Sequence, residues 1–94
     1  MKLSETEIEK ALTELPQWKY TEGFLKTEIV CEDFKAAFAL MTRISFEAEA
    51  LNHHPNWENV YNRIAIALQT HDAGGITSAD IELAKRINAL RGSI

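Results

Sequence analysis

The side chains best suited to moving protons in this sequence are its three histidines: His53 and His54, adjacent in "NHHP", and His71 in "QTHDAGG". An imidazole has an unperturbed pKa near ~6.5, so one ring can act as a base at neutral pH while another acts as an acid. Carboxylates stand at useful spacings, Glu49 four residues before His53 and Asp80 nine residues after His71. Each of these residues also has an ordinary reading. A histidine pair beside Pro55 reads, taken alone, as polar loop residues, and His71 as a polar residue closing a strand before Asp72 and a glycine turn. Glu49 and His53 could meet simply as neighbours one turn apart on a helix. Asp80 stands at a helix-capping position whatever else it does, and Trp57 and Tyr61 read as strand aromatics that pack a sheet.

Other chemistries fit less well. Three histidines and a carboxylate match the ligand types of catalytic zinc, but adjacent side chains in an extended segment point apart, and no H-E-x-x-H, C-x-x-C or paired-histidine helical motif is present. Cys31 is followed by Glu32 and Asp33, whose charges raise a thiol pKa and argue against a nucleophile. Gly74-Gly75 lacks the remainder of a phosphate-binding loop.

These residues need elements to position them. Ser4 and Glu7 have capping-box spacing, and Ile8, Ala11, Leu12 and Leu15 recur at helical intervals until Pro16. "WKYTEGFLKTEIV" predicts a hairpin with strands near 18–21 and 24–30 about a Glu22-Gly23 turn. Phe34, Ala37, Phe38, Met41, Ala48 and Leu51 predict a long helix ending near Asn52 to Pro55, because a proline pushes its predecessor out of the helical region. "NWENVYNRIAIALQTH" predicts a second hairpin turning near Asn62, with Ile64, Ile66 and Leu68 on one face and His71 at the strand's end. Thr77 and Asp80 form another capping-box pair, Ile76 and Ile81 a hydrophobic staple, and a last helix runs to about Leu90 with a stop at Gly92. The order α-β-β-α-β-β-α predicts an α+β fold, a four-stranded antiparallel sheet with three helices on one face. Its open edge invites pairing with a second copy, as a homodimer or homotetramer.

Composition narrows the setting. The 94 residues suit one domain over 1–94, without internal repeat or linker. No apolar run approaches the roughly 20 residues that span a bilayer. The opening "MKLSETEIEK" does not read as a secretory signal, and the single cysteine cannot form an internal disulfide, so a reducing cytoplasm is expected. A net charge of −4 argues against nucleic-acid binding, which draws on clustered positive charge.

The combined pattern Glu49-x3-His53-His54-Pro55-x5-Tyr61-x9-His71-x8-Asp80 resembles the pterin-4a-carbinolamine dehydratase family, and the likeness extends over nearly the whole chain. The resemblance implies a hydro-lyase that removes water from 4a-hydroxytetrahydrobiopterin, left when an aromatic amino acid hydroxylase uses its cofactor, and returns a quinonoid dihydropterin. It implies no metal and no organic cofactor, the pterin being the substrate. It implies that His53 and His71 shuttle protons, that His54 holds and polarises the pterin, and that Glu49, Asn52, Pro55, Trp18 and Asp80 line the substrate site. Many relatives carry aspartate where this chain has Asn52, so charge assistance at that position is not carried over. Some family members also serve as dimerisation cofactors for homeodomain transcription factors, which implies a rival, non-enzymatic role on the same fold.

Overall fold

Short-range hydrogen bonds set where each helix begins. Ser4 Oγ accepts from the Glu7 amide while the Ser4 amide donates to Glu7, and this box opens α1 (Glu5–Leu12). Asp33 accepts from the Ala36 amide and caps α2 (Phe34–Leu51). The expected Thr77–Asp80 box opens α3 (Ser78–Arg91), with Ile76 and Ile81 buried on either side of it. The computed structural model describes residues 1–92, so the last two positions of the expected 1–94 domain lie outside the described residues. After Leu12 the chain tightens into shorter-range backbone bonds through Leu15, so α1 closes before Pro16 is reached.

Strands β1 (Lys19–Thr21), β2 (Phe24–Val30), β3 (Asn56–Val60) and β4 (Arg63–Leu68) form one antiparallel sheet in the order β1-β2-β4-β3. Pairing of Leu25 with Leu68, Thr27 with Ile66 and Ile29 with Ile64 places the apolar positions of both central strands on one face. There they bury against Ile8 of α1, Leu40 and Ile44 of α2, and Leu83 and Ile87 of α3. Lys26, Glu28, Ala65 and Ala67 alternate onto the other face. This is the expected α+β architecture in the expected order.

The two hairpin turns place residues in left-handed backbone. Glu22 (φ 56°) and Gly23 (φ 82°) make the expected first turn, and Glu22 is held there by Lys26 Nζ at 2.6 Å. The second hairpin turns at Tyr61 and Asn62, near Asn62 as expected, and this corrects the reading of Tyr61, which is a turn residue at φ 50° and 62% exposed and not a strand aromatic. The cause is Asn62, which exchanges two hydrogen bonds with Cys31 and so extends the pairing of β2 by one position, leaving Tyr61 to reverse the chain. Trp57 behaves as expected, half-buried and paired with Ile66.

α3 is fastened at several points along its length. Trp18 is 3% exposed and donates its indole N–H to Asn88 Oδ1 at 2.8 Å. Arg91 donates to Thr27 Oγ1 and to the Glu28 carbonyl on β2. Trp18 is therefore a core residue, whose polar tip has found the partner that a buried indole requires. Trp18→Phe is expected to lower stability by about 1–3 kcal/mol, through the lost volume and the orphaned Asn88 oxygen. Urea unfolding checks this; an unchanged midpoint would show that the indole contributes nothing specific.

Candidate active site

The site is organised by one carboxylate. Asp80, the third residue of α3, is fully buried at 0% exposure, a state a charged group tolerates only when its oxygens are hydrogen-bonded. Its Oδ2 accepts the Thr77 amide and the Thr70 hydroxyl, each at 2.8 Å, and its Oδ1 lies 2.5 Å from His53 Nε2. A carboxylate at Asp80 can only accept, so a neutral His53 bonded to it donates from Nε2 and keeps its lone pair at Nδ1. Asp80 is both cap and partner to an imidazole, so the two readings of this residue coincide.

α2 delivers its histidines by ending abruptly. Asn52 takes the left-handed conformation (φ 51°, ψ 44°) that asparagine tolerates better than most residues, and the chain reverses there. The next two side chains then diverge: the His53 side chain is only 13% exposed and points to Asp80, whereas the His54 side chain is 57% exposed. Glu49 consequently bonds His54, with Oε2 2.6 Å from Nε2, and not His53 as one-turn spacing predicts. The reversal at Asn52 rotates His53 off the Glu49 face of the helix. Pro55 is half-buried between this pair and β3.

His71 also departs from its expected place. β4 stops at Leu68, and Thr70 bridges across to Gly75, closing a tight loop in which His71–Ala73 form a single 3₁₀ turn. Gly74 makes this closure practicable by adopting a left-handed φ of 71°. His71 is exposed, and its ring has no protein partner among the described residues. Thr70, its neighbour in the chain, binds Asp80 Oδ2, so the His71 loop and His53 are tied to the same carboxylate. Trp18, by contrast, lies in the core.

Two further features fall outside this constellation. A concavity of about 820 Å³ lies over the open sheet face, lined by Lys19, Lys26, Asn56, Glu58 and Ala67 among others, and no histidine lines it. The histidines lie elsewhere, after the end of α2 and in the loop that follows β4. Cys31 is buried, and burial followed by the charge of Asp33 pushes its thiol above the ordinary value. Among the described residues no group of three or more His, Cys, Asp or Glu is arranged to hold a metal ion.

The sequence model of the family described as pterin 4 alpha carbinolamine dehydratase matches residues 1–90. The chain belongs to that family. A Solibacter usitatus protein named as a pterin-4-alpha-carbinolamine dehydratase is 53% identical over 95% of this chain and 94% of its own. One of the same name from Christiangramia forsetii is 51% identical over 92% of this chain and 89% of its own. A Brucella melitensis crystal structure, described as a transcriptional coactivator/pterin dehydratase, matches with a TM-score of 0.95 at 36% identity, covering 98% of this chain and 100% of that one. Membership of the carbinolamine dehydratase family agrees with the resemblance carried by the histidine motif, and with the hydro-lyase class it implies. No helix among the described residues is long and apolar enough to cross a membrane.

Because Cys31 is buried and its thiol is pushed above the ordinary value, it is expected to react with iodoacetamide more slowly than a free cysteine. Mass spectrometry of the native protein at pH 7 checks this. Modification at the rate of a free thiol would mean that Cys31 is neither shielded nor raised in pKa.

Proposed function

We propose that the chain dehydrates a 4a-hydroxytetrahydropterin by imidazole acid–base catalysis, with the pterin as substrate and without a metal or organic cofactor. The observation that carries this reading is His53 Nε2 held on the buried Asp80, with the neighbour of His71 bound to the same carboxylate. Dehydration needs two proton transfers. The ring nitrogen beside the carbinol carbon loses its proton, the carbon–nitrogen double bond forms, and the carbon–oxygen bond breaks as the hydroxyl takes a proton and departs as water. His53 suits the first transfer, since its Nδ1 is basic and Asp80 stabilises the imidazolium that results. His71, exposed and without a protein partner among the described residues, suits delivery of a proton to the leaving oxygen. His54, steadied by Glu49, supplies a polar contact to the pterin, with Asn52 and Pro55 shaping the approach. In this reading Trp18 supports the pocket from the core rather than touching substrate.

Such an enzyme works in the cytoplasm, on the product of a hydroxylase that oxidises its pterin cofactor, and the chain acts as one domain. It also works as a homo-oligomer. Phe34, Phe38 and Phe46 on α2 are 49%, 55% and 70% exposed, and the first two rings stack obliquely at 5.7 Å, an aromatic stripe that a second copy would cover. The same stripe supports a second reading, a protein-partner role of the kind implied by the words "transcriptional coactivator" applied to the Brucella melitensis protein. The two roles are compatible on one fold.

His53→Ala and His71→Ala are each expected to keep the fold and slow formation of quinonoid dihydropterin by about 10²- to 10⁴-fold, with wild-type turnover insensitive to EDTA. Wild-type turnover in either variant removes that histidine from the mechanism, and EDTA-sensitive activity restored by zinc replaces the metal-free reading. Light scattering is expected to find an oligomer in the wild type and monomer in Phe46→Glu. A monomeric wild type at micromolar concentration would leave the aromatic stripe to a different partner.

A further inference from the structure

Asp80 and His53 account for one oxygen of the carboxylate, and the second oxygen leads to a residue outside the family's histidine motif. We infer that Thr70 is a positioning residue for the proton-transfer site: its hydroxyl occupies Asp80 Oδ2, which leaves Oδ1 to His53 and locks the His71 loop against the same carboxylate. The inference rests on the proposed acid–base chemistry.

The count of protons gives the direction of each bond. Thr70 has one hydroxyl proton and two oxygen partners, Asp80 Oδ2 at 2.8 Å and Thr77 Oγ1 at 2.7 Å. A carboxylate has no proton to give, so Thr70 donates to Asp80 and accepts from Thr77. Thr77 can serve in that way because its oxygen separately accepts the Ala79 amide at 3.3 Å while its own proton goes to Thr70. The chain of donors thus runs from Thr77 through Thr70 to Asp80, and from His53 Nε2 to the other oxygen. Both runs of donors end on the carboxylate, and neither directs a donor at Nδ1 of His53.

Thr70 also anchors its own loop. Its amide donates to the Gly75 carbonyl at 2.9 Å, and its carbonyl accepts the Ala73 and Gly74 amides, each at 3.1 Å. The residue is therefore fixed on its backbone by the loop and on its side chain by α3. A β-branched side chain adds stiffness at χ1, so the hydroxyl is directed before any substrate arrives. Valine would match this shape and keep the loop, but would leave Asp80 Oδ2 one donor short and Thr77 without its acceptor.

The test separates the hydroxyl from the shape. Thr70→Val is expected to lower kcat roughly tenfold or more, the scale on which a working imidazole suffers when its orienting partners are lost. KM should move less, and Thr70→Ser should restore most of the rate. In parallel, ¹⁵N NMR of the imidazoles is expected to show neutral His53 in the wild type as the Nε2–H tautomer, with its signals displaced in Thr70→Val and recovered in Thr70→Ser. A wild-type His53 in the Nδ1–H form overturns the inference whether or not the valine variant folds. So does a folded valine variant with unchanged kcat and unchanged His53 signals, or a loss that serine does not restore. If the wild type shows no dehydration, the acid–base reading fails on its own, and the NMR comparison still decides whether Thr70 positions His53.

Discussion

A carboxylate removed from water has to be surrounded by donors, and much of this site follows from meeting that demand at Asp80. Its side chain is completely buried and is reached by a backbone amide, a hydroxyl and an imidazole from three separate segments. Loss of any one would expose the usual cost of an unpaired buried polar group, about 1–3 kcal/mol and more for a charged one. The same bonds that start α3 therefore also bring together the end of α2 and the loop after β4. Capping and site-building are one set of interactions.

The second constraint is the reversal at Asn52. A helix that continued would have presented His53 one turn above Glu49, and a plain extended exit would not have sent it inward so sharply. The left-handed residue turns His53 toward Asp80 and leaves His54 on the outside with Glu49. Asparagine is among the few side chains at ease in that backbone, so the residue has a conformational task independent of charge. The carboxylate that bonds the first imidazole is supplied from α3, 27 positions further along the chain.

The parts of the fold visible in sequence were those set by local rules. Capping boxes at Ser4 and Thr77, the alternation of Ile64, Ile66 and Leu68, and the Glu22-Gly23 turn depend on neighbours a few residues away, and each forms as read. What was not legible depended on contacts across the chain. The turn near Asn62 was legible, but that Tyr61 would fall in it and not in the strand depended on Asn62 being held by Cys31, 31 positions earlier. His71 left the strand because Thr70 closes onto Gly75 and Asp80. Thr70 carried no signal of its own, since a threonine beside a histidine is commonplace until the segment it reaches is known. For Trp18 the resemblance implied a place by the pocket, while its burial and its bond to Asn88, 70 positions away, depend on contacts no local pattern shows.

The placement of Asp80 has a consequence for biosynthesis. All three histidines precede the helix that carries the carboxylate, and that helix is held down by bonds to Trp18, Thr27 and Glu28, all made much earlier in the chain. On a ribosome, where segments emerge in order, all four strands can emerge while His53 still lacks the carboxylate it bonds. A nascent chain halted before α3 would carry every histidine and still lack Asp80, so the buried carboxylate and its three donors come together only when the last helix has been made.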